Sequence, residues 1–474
     1  MLKIYDTLSK EKKEFIPINP SFVNMYTCGI TSYDECHIGH ARSLYFFDLV
    51  RRYLQYLGFK VRFVRNITDI DDKIINRAKE LGINWKDLTE KYIVSYYEDL
   101  ELLGIKKADY EPRATENIPD MIKYISDLID MGYAYQAGRD VYFSVRKFPG
   151  YGKLSGQNIG QLLEAVRVEP NSLKKDPLDF ALWKSSSQDE PFWESPWGRG
   201  RPGWHIECSV MSQKFLNSQT LDIHAGGLDL IFPHHENEIA QAEALTGKPF
   251  AKYWMHHGLL TINGQKMAKS LGNFVSIKDF IKKYDANFLK LLFLGAHYSQ
   301  AIDYTEEKIK DIKLAFERIL IFLDKVKRKV DLKLVENDYS IDKIKQLKLK
   351  FKEALDDDFN TPKALATLFE LISEANKNME NTYFIIEAYS LLKDMADIFG
   401  LNLVPKTTKA STITSESFII SPITEEEIQA KILERQKARE QKDYKLADRI
   451  RKELLEKGII LEDTKEGTIW RRKL

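Results

Sequence analysis

One stretch near the amino end does most to limit the fold. Phe22 to Cys28 reads as a short apolar strand, a glycine-containing turn follows, and an amphipathic run extends from Ala41 to Leu57. After Gly58, Lys60 to Val64 alternates as a second strand, and helical character resumes from Asp71. Strand, helix, strand is the opening of a parallel α/β sheet.

The pattern then changes. From 114 to 203 helices give way to turns, with a tract rich in Pro, Gly, Trp and Ser around Ser185 to Gly203, as expected of an insertion. The α/β character returns with Thr220 to Ile223, Glu236 to Thr246 and Tyr253 to Ile262. The reading is a Rossmann-like parallel-sheet domain made of 1–113 and 204–278, split by a connective insertion at 114–203. Apolar residues at three- and four-residue spacing, such as Phe316, Ile319, Leu320 and Leu323, predict a helical bundle over 279–403. A Ser-, Thr- and Lys-rich linker at 404–421 and a small C-terminal module at 422–474 complete the chain.

The 474 residues are enough for two to four domains. With 43% hydrophobic and 30% charged residues the composition is that of an ordinary globular protein. A formal charge of +1 gives the whole molecule no attraction for nucleic acid, so any RNA-binding surface must be local. No run is long and apolar enough to span a membrane, and the first residues lack a signal-peptide core, so a cytoplasmic protein is expected. The three cysteines, Cys28, Cys36 and Cys208, are odd in number and too few for a disulfide framework. All nine histidines lie between His37 and His297, which confines metal or acid–base chemistry to the N-terminal part.

Four clusters carry candidate chemistry. His37-Ile38-Gly39-His40 stands where a strand turns into a helix, a place that offers backbone N–H groups and the positive end of a helix dipole to an anion. Lys266 and Lys269, in the loop Lys266-Met267-Ala268-Lys269-Ser270, suit a triphosphate. Gly226-Gly227-Leu228-Asp229 permits close backbone approach, with Asp229 able to accept from a ribose or amine. Taken singly, the first reads more readily as an ordinary turn and the second as a solvated loop, and the third is as compatible with a tight turn capped by aspartate as with a binding site. Cys28 and Cys208, with His234 and Glu238 four residues apart after Pro233, supply donors that suit zinc better than magnesium or calcium. Singly, these too read as small buried side chains and an exposed helical pair.

In combination the first two clusters resemble the HIGH and KMSKS motifs of class I aminoacyl-tRNA synthetases, with Ala268 standing where the second motif has serine. Gly203-Trp204-His205-Ile206-Glu207-Cys208-Ser209 and Phe232-Pro233-His234-His235-Glu236-Asn237-Glu238 resemble the zinc-binding motifs of the cysteinyl-tRNA synthetase family. Asp356-Asp357-Asp358-Phe359-Asn360-Thr361-Pro362 looks like its helical domain. The segments Asp443 to Arg451 and Leu461 to Trp470 look like its anticodon-binding end.

That resemblance implies zinc on Cys28, Cys208, His234 and Glu238, and phosphate contacts from His37, His40, Lys266 and Lys269. It implies ATP against Gly39, Gly227, Asp229 and Lys269, with magnesium, and a cysteine pocket including Thr31, Thr68, Trp204 and His224. His256 and His257, near the lysine loop, are expected to line the ATP site. Arg435, Arg439, Arg449 and Trp470 are candidates for contact with tRNA(Cys), through phosphate or stacked bases. The expected activity is ATP-dependent formation of cysteinyl-adenylate and transfer of cysteine to the 3′-terminal adenosine of that tRNA by a monomer. Two rivals are a ligase passing cysteine to an amino sugar, which would lack the C-terminal end, and a non-catalytic zinc protein that binds RNA.

Overall fold

The computed structural model describes residues 1–158, 160, 173–268, 271–329, 341–403, 424–464 and 467–472. A short hairpin, β1 (Lys3–Asp6) and β2 (Glu11–Glu14), precedes the central sheet. That sheet is four-stranded and wholly parallel. It is built from β3 (Phe22–Thr31) and β4 (Lys60–Thr68), then β9 (Leu221–Gly227) and β10 (Ala251–His257) after the insertion, in the order β10-β9-β3-β4. Every residue of β9 is buried, the mark of a strand covered on both faces. Neighbouring residues of β3 feed different cores: Met25 packs with α1 (Ile38–Tyr56), and Tyr26 with the helices on the opposite face.

The chain leaves β3 toward β4 on one side and returns to β9 on the other. The point where the strand order reverses therefore lies between β3 and β9, where open α/β sheets place their ligands, beyond the carboxyl ends of the strands. β3 carries a bulge there: Thr27 pairs with Arg65 and Ile30 with Ile67, leaving Cys28 and Gly29 opposite Asn66. Gly29 donates its N–H to Asn66 Oδ1 at 2.8 Å, and a Cβ at Gly29 would lie 1.5 Å from the Asn66 carbonyl oxygen. Only glycine fits, and the bulge turns Cys28 toward the ligand end.

After α2 (Asp72–Leu81) and α3 (Trp85–Leu102), the insertion contains α4 (Ile118–Asp130) and a four-stranded antiparallel sheet. Its strands are β5 (Ala134–Ala137), β6 (Asp140–Phe143), β7 (Phe180–Ser185) and β8 (Gly200–Pro202). The turn-rich reading of this region missed that sheet, because its strands are three to six residues long and flanked by loops. From β8 the chain enters α5 (Trp204–Leu216), which brings Cys208 back to the central sheet, and α6 (Glu236–Thr246) follows β9.

Beyond β10, a small three-stranded sheet is formed by β11 (Leu260–Ile262), β12 (Gln265–Lys266) and β13 (Ile302–Tyr304), in the order β12-β11-β13. β13 falls inside the stretch expected to be helical. Helices otherwise fill it: α7 (Ile277–Lys283), α8 (Ala286–Leu294), α9 (Glu306–Lys329), α10 (Asp342–Asp356), α11 (Thr361–Lys377) and α12 (Thr382–Phe399). Their apolar faces join α1 in one core through Phe46, Phe316, Phe351 and Phe399.

Met1–Val404 and Pro405–Leu474 are two compact units. The expected linker at 404–421 lies outside the described residues. The second unit contains α13 (Glu425–Glu440), α14 (Tyr444–Glu456) and a hairpin of β14 (Ile459–Thr464) with β15 (Gly467–Arg472), closed around Ile428, Ile450 and Leu454. No described helix is long and apolar enough to cross a membrane.

Candidate active site and metal centre

Four elements converge at the ligand end of the sheet. Cys28 comes from the β3 bulge, Cys208 from α5, His234 from the turn before α6, and Glu238 from the first turn of α6. One donor atom from each lies within 4.8 Å of every other, and all but the half-buried Cys28 are buried. Cys28 Sγ is 3.6 Å from Glu238 Oε1, Cys208 Sγ is 3.5 Å from His234 Nε2, and His234 Nε2 is 3.0 Å from Glu238 Oε1. Two thiols, an imidazole and a carboxylate in a buried tetrad form a donor set consistent with zinc. As expected after Pro233, His234 stands in a helical turn that is interrupted only at Phe232 and runs directly into α6, so His234 and Glu238 meet four residues apart on one face.

Neighbours orient these donors. His205 Nδ1 lies 2.8 Å from His234 Nδ1, and Trp204 stacks on the His234 ring at 3.9 Å, so Nε2 is the atom left facing the cluster. His224 Nε2 is 2.7 Å from Glu238 Oε2, which leaves Oε1 toward His234. Burial alone would raise the Glu238 carboxyl, but His224 and His234 outweigh it and hold the group well below the usual range. Burial alone would lower His234, yet Glu238 and Cys208 raise it.

The sequence reading overlooked several participants. His235 Nε2 is 3.3 Å from Cys28 Sγ, and Cys28, His224, His235 and Glu238 form a second group of donors within 4.8 Å. His235 Nδ1 contacts His256 Nε2 at 2.8 Å, and His256 Nδ1 contacts Thr7 Oγ1 at 2.8 Å. His256, expected near ATP, belongs instead to this buried histidine network; its neighbour His257 does face Gly227, whose added Cβ would lie 3.5 Å from the ring. Thr68 Oγ1 donates to Glu207 Oε2 at 2.6 Å. Thr31 is half-buried at the end of β3, paired in register with Thr68. The one available signal for these partners was the crowding of histidines around His234.

Alongside lies the turn from β3 into α1. His37 caps the helix: its Nδ1 accepts from the His40 backbone N–H at 3.2 Å, and His40 Nδ1 accepts from the His37 N–H at the same distance. The rings stack at 3.8 Å. With each Nδ1 an acceptor, the neutral rings carry their protons on Nε2. The surrounding protein, then His37 and Lys73, shift the pKa of His40 downward, so that it favours the neutral form, although the residue is exposed. A Cβ on Gly39 would come within 2.8 Å of the His37 ring, so glycine preserves the stack. At the end of β9, a Cβ on Gly227 would meet Asp229 Oδ1 at 2.4 Å, and Asp229 is exposed. Lys266 is exposed on β12; Lys269 lies outside the described residues.

In the second unit Arg435 is 5% exposed and grips Asp463 with both Nη atoms, at 2.7 and 2.8 Å. It is therefore not the free phosphate contact expected of it. Trp470 packs against the unit's small core. Arg439 is paired with Asp463 at 2.8 Å while remaining 48% exposed, and Arg449 is exposed.

A parallel sheet with its cleft at the strand reversal, a histidine-capped turn and a lysine hairpin define a class I aminoacyl-tRNA synthetase. The model for the class I (C) tRNA synthetase catalytic domain matches residues 14–314, the DALR domain 350–404 and the cysteinyl-tRNA ligase anticodon binding domain 422–471. The cysteine–tRNA ligase of a Sulfurihydrogenibium species is 50% identical over 487 residues, covering 99% of each chain. That of Thermodesulfovibrio yellowstonii is 49% identical over 493 residues, covering 100% of each. In fold, the chain is similar to Mycobacterium tuberculosis methionyl-tRNA synthetase in complex with methionyl-adenylate, with a TM-score of 0.61 at 16% identity over 80% of this chain and 91% of that one. The chain belongs to the cysteine–tRNA ligase family.

Proposed function

We propose that the tetrad of Cys28, Cys208, His234 and Glu238 is the cysteine-selecting centre of this ATP-dependent ligase and holds one zinc per chain. The observation that carries this reading is the convergence of those four donors at the strand reversal, beside the His37–His40 turn. The alternative quartet replaces Cys208 and His234 with His224 and His235, but His224 Nε2 is already engaged with Glu238 Oε2. A bound zinc supplies a Lewis acid that lowers the pKa of a substrate thiol and favours it over the harder hydroxyl of serine.

The chain's own groups do the rest. Trp204, His224, Thr31 and Thr68 line the cysteine pocket, and Gly39, Gly227 and Asp229 take the nucleoside. The cysteine carboxylate attacks the α-phosphate of ATP, the bond to pyrophosphate breaks, and cysteinyl-adenylate forms. His37 and His40 donate Nε2–H to phosphate oxygens, while Lys266 and Lys269 meet the charge growing on pyrophosphate, which leaves with magnesium. The 2′-hydroxyl of the terminal adenosine of tRNA(Cys) then attacks the aminoacyl carbonyl and releases AMP. Arg439 and Arg449 of the C-terminal module serve the tRNA. The protein works as a cytoplasmic monomer, with catalytic parts at 1–113 and 204–278 around the insertion at 114–203, then the bundle at 279–403 and the module at 422–474. The match of residues 422–471 to an anticodon binding domain disfavours the amino-sugar ligase.

Cys208→Ser tests the metal assignment. Zinc content, measured on purified protein, should fall from one per chain, and the KM for cysteine should rise at least tenfold while that for ATP stays within about twofold. Full zinc with normal cysteine activation would remove Cys208 from the ligand set.

A further inference from the structure

The two phosphate-binding segments are tied to one another by a buried cation outside both motifs. Arg42 lies in the first turns of α1, two residues after His40, and is 2% exposed. Its Nη1 donates to the Leu259 carbonyl at 2.7 Å, and its Nη2 to the carbonyls of Tyr298, at 2.8 Å, and Gln300. No carboxylate among the described residues forms an ion pair with it. A guanidinium taken out of water and compensated only by carbonyl dipoles is costly to bury, and burial lowers its pKa to about 10. The three carbonyls it satisfies belong to two segments far from α1 in sequence, so what its burial achieves is to join them to that helix.

Its acceptors indicate the role. Leu259 directly precedes β11, which pairs with β12 and so presents Lys266. Tyr298 and Gln300 precede β13, the other neighbour of β11. At this crossing Gly258 N–H donates to the Tyr298 carbonyl at 2.8 Å, and a Cβ on Gly258 would lie 2.3 Å from the Gln300 carbonyl oxygen. The backbones are in contact, and Arg42 joins them from α1. The far end of the same loop is held independently, since Ile38 N–H donates to the Val275 carbonyl at 3.1 Å and Ile277 N–H to the Cys36 carbonyl at 3.0 Å. Both ends of the Lys266 loop are thus fastened to the segment Cys36 to Arg42.

We propose that Arg42 is a positioning residue for adenylate formation, which fixes the Lys266 hairpin relative to the His37–His40 turn so that both reach one triphosphate. This rests on the assignment of His37, His40 and Lys266 to phosphate binding. Arg42 touches no substrate and acts through the β11–β12 backbone. A planar guanidinium can reach three carbonyls at once, whereas a lysine ammonium in its place reaches fewer.

The test compares Arg42→Gln and Arg42→Lys with His40→Ala and Lys266→Ala in cysteine-dependent ATP–pyrophosphate exchange, together with thermal melting and deuterium uptake. For Arg42→Gln the turnover number should fall about 100-fold, because a displacement of about an ångström suffices for that, while the KM for cysteine stays within about twofold. Arg42→Lys should fall between Gln and wild type, with the wild-type melting temperature. Deuterium uptake should rise at 258–268 and stay unchanged at 221–246. If Arg42→Gln does not fold, Arg42→Lys gives the same readings on a folded protein. Wild-type turnover in Arg42→Lys with unchanged uptake at 258–268, or an equal change in the cysteine and ATP parameters, would overturn the proposal. Normal exchange by His40→Ala and Lys266→Ala would instead remove the phosphate assignment beneath it.

Discussion

At the scale of single residues, the metal centre depends on groups that never touch the metal. His205 fixes which nitrogen of His234 faces the cluster, through a 2.8 Å contact between their Nδ1 atoms. Losing such an orienting partner typically costs about 10–100-fold in metal affinity. His205→Ala should therefore weaken zinc binding by that factor in competition with a chromogenic chelator, with Cys28, Cys208 and Glu238 unchanged. Undiminished affinity would mean that the stacked Trp204 holds the ring by itself. Three of the four proposed donors, Cys208, His234 and Glu238, were legible in the sequence because they fall inside two recognisable motifs, whereas Cys28 was visible only as the cysteine that closes the first strand. His205, His235, His256 and Glu207 were not, since their part is defined by which ring nitrogen or carboxylate oxygen meets which, and spacing along a chain does not encode that. Arg435 failed for the opposite reason. Its charge was visible, but the Asp463 that takes it up lies 28 residues away on a hairpin strand.

At the scale of elements, legibility followed length and periodicity. α1 and the strands on either side of it were readable because they alternate or repeat with apolar residues for many turns, whereas β5 to β8 are brief and β13 hides among helices. The Arg435–Asp463 pair has a consequence at this scale. It ties α13 to β14, and Thr468 on β15 adds a hydrogen bond from its Oγ1 to Asp463 Oδ1 at 2.7 Å. Arg435→Met should accordingly loosen the whole C-terminal unit, by about 1 kcal/mol for the hydrogen bonds lost, since Asp463 keeps Arg439 and Thr468 as partners. Deuterium uptake at 424–464 reads this directly. Arg435 holds the Asp463 carboxyl below its usual range, so this pair stabilises the fold above the ordinary carboxylate pKa of about 4 and is lost as pH falls further. The difference between wild type and Arg435→Met should therefore be full at pH 7 and shrink below about pH 4. A difference independent of pH would assign the effect to lost packing.

At the scale of the whole molecule, the chemistry and the expected RNA contacts occupy different units. The proposed zinc, cysteine and ATP residues all lie within Met1–Val404, and the match to an anticodon binding domain covers 422–471. Each unit has its own core: the first centres on the sheet and bundle, the second on Ile428, Ile450 and Leu454. A chain ending at Val404 keeps every donor described for adenylate formation, so it should retain ATP–pyrophosphate exchange within about threefold of the full chain while losing most tRNA charging. The lost fraction should depend on salt. Each phosphate contact removed lessens the slope of log affinity against log salt by roughly one, so the full chain should lose tRNA affinity more steeply than the truncated one as salt is raised. Because each unit has a core of its own, the truncated protein should also melt at nearly the same temperature as the first unit of the full chain. Equal charging by both proteins at every salt concentration would separate tRNA recognition from the C-terminal unit and move it onto the helices of the first.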